Sequence, residues 1–198
     1  MLITLEGIDG SGKSTLFKGL QVKLADLDPL FTREPGSPFL GNAVRHAISN
    51  EPDPLVEAAL FVADHAVHLA TVIRPALDAG RLIISDRYSD SRFAYQQISL
   101  KSAHPNPKAW LTAVHKDWSI RADLTILLLL APEIAMSRLS EREKKEHFEK
   151  KEVLEEVQKR YVERMNEDPE RFLLIDATQD PEKILDFVEK SIRARYII

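Results

Sequence analysis

The sequence predicts a three-layer α/β protein, a parallel β-sheet wrapped by helices on both faces. Two patterns carry this expectation. Five short, continuously apolar runs are separated by helix-length stretches, as strands buried on both faces require. At the N-terminus, one of these runs passes through a glycine-rich loop directly into helical periodicity.

The first strand is Leu2–Leu5, closing on Glu6 and Gly7, and the helix after the loop is marked by Leu16, Leu20 and Leu24 at helical spacing. Further strands are expected at Leu30–Arg33, Leu82–Ser85, Leu124–Leu129 and Phe172–Ile175. Pro54 to Leu77 reads as one long helix, with Pro54 in its first turn and Pro75 near its end, where each is tolerated. Its apolar residues cover most of the circumference, so it must be buried on more than one side. One face then packs on the sheet and another on a second subunit, or all of it is buried inside one domain. From Arg138 to Arg171 more than half of the residues are charged, with both signs interspersed. This is the pattern of a solvated helix surface, anchored in its second half by Leu154, Val157, Tyr161 and Met165.

With 198 residues, 44% of them apolar and 29% charged, the chain has the size and balance of one soluble domain. A net charge of −4 argues against broad binding to nucleic acid polymers, which needs a basic surface. Without cysteine there are no disulfides or thiolate metal sites. Uninterrupted apolar runs such as Leu124–Ala131 are short for a membrane span. The N-terminus opens on a strand pattern and not on a signal peptide, and the expected location is cytoplasmic.

Gly7-Ile8-Asp9-Gly10-Ser11-Gly12-Lys13-Ser14 has the spacing of a phosphate-binding P-loop. Its glycines let consecutive backbone N–H groups turn inward, forming an anion nest at the positive end of the next helix. Lys13 then meets the β- and γ-phosphates, and the Ser14 hydroxyl can join the shell of a magnesium ion. No guanine-reading Asn-Lys-x-Asp run is present. Instead, arginines follow two strand ends, in Thr32-Arg33-Glu34-Pro35-Gly36 and Asp86-Arg87-Tyr88. Ligands of open α/β sheets bind at that edge, so the pattern suits a kinase with an anionic acceptor.

Taken together with Leu60-Phe61, Ala63-Asp64, Ser91, Ala94-Tyr95-Gln96 and Ile175-Asp176-Ala177-Thr178, these segments resemble the thymidylate kinase family through most of the chain. The resemblance implies a P-loop NTPase fold with a five-stranded parallel sheet and a short helical lid at about residues 138–152. It further implies a single kinase domain over 1–198, ATP and Mg2+ as cofactors, dTMP as acceptor, and a homodimer through the helix 54–77. By the same resemblance, residues Gly7 to Thr15 bind ATP. Asp9 lies by the acceptor's 3′-hydroxyl. Arg33, Arg87 and Arg45 face its phosphate, although Arg33 and Arg87 have Glu34 and Asp86 beside them as alternative ion-pair partners. Asp86 acts near magnesium directly or through water. Phe61 stacks on thymine, and Tyr95 crowds the sugar 2′ position beside Ser91.

Lid arginines Arg138 and Arg142, four apart on one helix face, supply charge in the transition state, since Ser11 stands where one branch of the family has arginine. Two positions depart from the family. His65 replaces an arginine expected four residues after the stacking phenylalanine, and Arg92 stands where a small or neutral residue is usual. The expectation drawn from this is a relocated guanidinium, with Arg92 reaching the base edge and His65 packing beside Phe61. The rival readings are a kinase acting on another nucleotide or nucleoside, and an ATP-binding regulatory or partition protein.

Overall fold

The computed structural model describes residues 1–37, 39–50, 53–139 and 150–196. Five strands, β1 (Leu2–Gly7), β2 (Leu30–Arg33), β3 (Ile83–Asp86), β4 (Leu124–Leu129) and β5 (Phe172–Asp176), form one all-parallel sheet in the order β2-β3-β1-β4-β5. The strands fall at the expected places, with β3 shifted by one residue and β5 one residue longer. Central β1 is buried along its whole length. The pleat sends Ile3 and Leu5 into a core shared with Leu20 and Val188, and Leu2 into a second core with Leu69, Ile73 and Ile83. Thr4 and Glu6 are also fully buried, so β1 is less uniformly apolar than a strand covered on both faces requires.

Helices α1 (Lys13–Lys23) and α9 (Pro181–Tyr196) pack together on the sheet, while α2 (Leu40–Asn50) packs on α3 (Pro54–His68). Asp53 caps α3 by accepting from the Leu55 and Val56 amides at 2.9 and 3.4 Å, and Pro54 takes the first turn, where no amide is needed. The expected long helix is continuous to Asp78 but contains a π-helical turn at Leu69–Ile73 before α4 (Arg74–Asp78). Pro75 has no N–H for the Thr71 carbonyl, and the turn before it widens.

By length and composition the helix 54–78 could cross a membrane, which a count of uninterrupted apolar runs missed. It nevertheless buries Glu57, Asp64, His65 and His68 inside the protein, as a helix packed within a folded domain does. The remaining α-helices among the described residues are α5 (Ser89–Ser99), α6 (Pro107–His115), α7 (Pro132–Leu139) and α8 (Lys151–Glu167). Leu154, Val157 and Tyr161 bury the inner stripe of α8 as expected, with Met165 packed at its margin. Of the expected lid, residues 140–149 lie outside the described residues, and Arg142 with them.

Candidate active site

The loop between β1 and α1 depends on glycine at two crowded points. Gly7 has φ +143°, and a Cβ there would stand 2.5 Å from the Leu128 carbonyl oxygen. Gly10 has φ +80°, with the Ala135 carbonyl oxygen 2.7 Å from where its Cβ would be. Only a residue without a side chain fits either conformation. The Lys13 ammonium lies under the loop and donates to the Gly7 and Ile8 carbonyls, both at 2.9 Å. Burial, followed by the nearby Arg87 charge, draws Lys13 down to about 8. Gly10 to Leu16 line a cavity of about 630 Å³ that runs past Arg138, Ala177 and Gln179. Of the predicted nucleotide set, Asp9 to Thr15 are thereby brought together, whereas Gly7 and Ile8 do not line the cavity and hold Lys13 through their carbonyls.

A second cavity, of about 370 Å³, opens on the other side of Asp9. The two share a wall made of Asp9, Ser14, Asp86 and Arg87. Register explains the meeting, because Leu5 of β1 pairs with Asp86 of β3 and sets Asp9 against Arg87 just beyond the strand ends. The expected alternative of an Arg87–Asp86 ion pair is not what forms. Arg87 pairs with Asp9, while the buried Asp86 Oδ1 has no hydrogen-bond partner among the described residues. Tyr95 donates to the other Asp9 oxygen at 2.9 Å. Burial alone would raise Asp9, but Arg87, Lys13 and Tyr95 outweigh it and hold the carboxylate below its ordinary range. Arg87 has φ +67°, a left-handed conformation that costs a side-chain-bearing residue roughly 1–2 kcal/mol. Burial and Asp90 raise the neighbouring Glu6 to about 7, against the pull of Ser91, Arg87 and Tyr161.

Arg33, Arg45, Phe61, Ser91, Arg92, Tyr95 and Gln96 line the second cavity. The Arg45 guanidinium is held by the Pro35 carbonyl at 3.4 Å and Asn42 Oδ1 at 2.6 Å. Phe61 is half-buried on the cavity wall and not in a core. Arg92 reaches the cavity from within a buried polar cluster. Its Nη1 pairs with Glu34, and its Nε donates to His115 Nε2 at 3.2 Å. His115 Nδ1 donates to the Leu111 carbonyl at 2.7 Å, which leaves Nε2 as the acceptor. The remaining Arg92 nitrogen, Nη2, has no partner among the described residues, and neither has Gln96 Nε2.

His65 does not line the cavity. It is fully buried, with Nδ1 on Glu34 at 2.8 Å and Nε2 on Ser119 at 2.9 Å, and its ring lies 5.4 Å from that of Trp118. His68 donates to the same Glu34 oxygen at 2.8 Å. Burial, then Arg92, brings His65 and His115 down to about 4, so both are neutral at pH 7. Burial works against Glu34 ionisation, yet Arg92 and His65 hold that carboxylate well below its usual range.

Residue-by-residue reading missed Glu6, Glu34, Gln96 and Tyr161 as site-building groups. The available signal was an acid or polar residue inside an otherwise apolar run, as Glu6 is.

A glycine nest at a helix N-terminus, joined through a carboxylate and arginine wall to a second, arginine-lined cavity, defines a P-loop kinase of the kind that acts on a nucleotide acceptor. A family model described as thymidylate kinase matches residues 5–188. A probable thymidylate kinase of Methanocorpusculum labreanum is 69% identical over 194 residues, covering 98% of each chain. Similar proteins with the same description come from Methanoculleus marisnigri, 56% identical over 98% of this chain and 95% of the relative, and from Natronomonas pharaonis, 42% identical over 97% of each. The chain belongs to the thymidylate kinase family.

Proposed function

We propose that the larger cavity takes ATP, the smaller one dTMP, and that the γ-phosphoryl group crosses at their common wall to give dTDP and ADP. The observation that carries this reading is the shared wall of Asp9, Ser14, Asp86 and Arg87, since in-line transfer requires donor and acceptor to meet at one point. An acceptor phosphate oxygen is already nucleophilic and needs no general base. Lys13, Arg87, Arg33 and Arg45 bind and orient phosphate oxygens, while Asp9 holds Arg87 and accepts from the sugar hydroxyl. The unpartnered Asp86 oxygen and the Ser14 hydroxyl on the same wall fit a magnesium ion, which would neutralise phosphate charge there.

The whole chain acts as one cytoplasmic kinase domain with its lid at about 138–152, needing neither membrane nor nucleic acid polymer. A second copy packs on the outer face of the helix 54–78, where Leu55 and Val56 are exposed. Dimer-sized sedimentation at micromolar concentration is the accompanying expectation. The reaction is tested by coupled ADP formation across a panel of nucleoside monophosphates. Turnover should require dTMP, and ATP hydrolysis indifferent to every acceptor would sink the reading.

Base selection follows from Arg92. It lines the cavity that Phe61 walls and carries only N–H donors, one of them unpartnered among the described residues, so it suits a carbonyl of thymine and not the amino group of cytosine, whereas the Gln96 amide holds both a donor and an acceptor. Arg92→Ala would also strand the buried Glu34 carboxylate, a loss worth about 3–5 kcal/mol of stability. Arg92→Lys keeps a charge beside Glu34 while removing the fork, and is the cleaner probe. It should raise KM for dTMP roughly tenfold and narrow the advantage over dCMP, with kcat changed less. An unchanged KM and unchanged base preference would show that Arg92 does not read the base.

A further inference from the structure

We infer that Glu6, a residue that touches neither cavity, is a positioning residue for the acceptor side of the reaction, with Tyr161 as its accessory. The inference rests on the phosphoryl-transfer reading above.

Arg87 needs to be held in place twice, in its left-handed backbone and in its side chain. The backbone is fixed by three contacts. Its amide donates to the Leu5 carbonyl at 3.0 Å, and its carbonyl accepts from Ser85 Oγ at 2.7 Å. The third is the next amide in the chain, Tyr88 N–H, which donates to Glu6 Oε1 at 2.8 Å. The side chain is fixed partly through the other Glu6 oxygen. Oε2 accepts from Ser91 at 2.5 Å and from Tyr161 at 3.0 Å, and Ser91 in turn accepts from Arg87 Nη1 at 3.1 Å. Ser91 has one hydroxyl proton, so giving it to Glu6 is what turns its lone pairs toward the guanidinium. Glu6 therefore sets both the peptide after Arg87 and the polarity of the hydroxyl that Arg87 leans on.

Tyr161 extends this arrangement across the fold. It belongs to α8, whereas Glu6 closes β1 and Ser91 opens α5, and the Tyr161 and Ser91 hydroxyls lie 2.8 Å apart. A purely structural acid would have no reason to gather its donors around the one arginine on the wall between the cavities. A site one peptide away from the P-loop could nonetheless affect ATP, and for that reason the test separates the two ligands.

Glu6→Gln keeps the shape but places an amide N–H₂ against either the Tyr88 amide or the two hydroxyls. It should be assayed above the value of about 7 at which Glu6 gains its proton, so that carboxylate is compared with amide. The expected result is a fall in kcat of about tenfold to a hundredfold with a raised KM for dTMP. ATP affinity measured without dTMP should change less than the dTMP parameters, because Glu6 hydrogen-bonds to Tyr88, Ser91 and Tyr161 and reaches Lys13 only through its charge. Tyr161→Phe removes one donor without changing charge and should shift the dTMP parameters in the same direction by a few-fold. If Glu6→Gln does not fold, Tyr161→Phe decides. Unsubstituted dTMP parameters in the variant that folds would overturn the inference, as would equal losses of ATP affinity and dTMP turnover. Phosphoryl transfer by the unsubstituted chain is read from dTMP-dependent ADP formation alone, so the inference can fail while that reading stands, and the two failures are told apart.

Discussion

Substitution of Lys13 by methionine is expected to lower turnover by roughly a thousandfold or more while leaving the global fold in place. Lys13 lines the larger cavity, and its ammonium donates to the Gly7 and Ile8 carbonyls. Its charge is what the transferring phosphates lose. The fold should survive because Lys13 contributes a charge under a loop and is not part of the apolar cores. A local cost of about 1–3 kcal/mol is still expected, since two carbonyls lose a donor. Circular dichroism and thermal melting check the fold, and single-turnover kinetics check the chemical step. Activity within a few-fold of the unsubstituted enzyme would refute the assignment.

Arg138→Ala is expected to reduce kcat by roughly a thousandfold, far more than it weakens dTMP binding, if the guanidinium neutralises charge mainly in the transition state. The structure puts Arg138 at the end of α7 on the wall of the nucleotide cavity, donating to the Gly10 carbonyl at 3.3 Å and the Ala177 carbonyl at 3.2 Å. Those contacts suggest a competing outcome. A residue that only braces the P-loop against the loop after β5 would, when removed, raise KM for ATP and lower the melting temperature while kcat stayed near normal. Steady-state kinetics with each substrate varied in turn distinguish the two. Arg142→Ala completes the experiment, and normal kcat in both variants would remove the lid from the chemistry.

Much of the nucleotide side was legible before any fold was known. The P-loop is a local device in which glycine spacing, a following lysine and a hydroxyl residue are neighbours in sequence and in space. The strands were equally readable, because burial on both faces forces a continuous apolar run. The acceptor side was readable in outline only. Arg33, Arg45, Phe61, Arg87, Ser91 and Tyr95 were expected at one site and line one cavity. Their partners were another matter. Arg87 had Asp86 next to it in the chain and paired instead with Asp9, 78 positions away.

What the sequence determined by itself is therefore the set of local geometries: the five strands, the glycine nest, the proline-marked start of the long helix and the chemical class of the reaction. The tertiary structure alone decided which charged group faces which. Parallel register brought Asp9 to Arg87, and burial made His65, expected beside Phe61 at the acceptor site, a neutral spacer between Glu34 and Ser119. Backbone conformation depends on residues a few positions apart, and composition records it. The partner of a buried charge is chosen by whichever group the packed elements deliver within about 3 Å, because an unpaired charge in that environment costs far more than a mismatch in local preference.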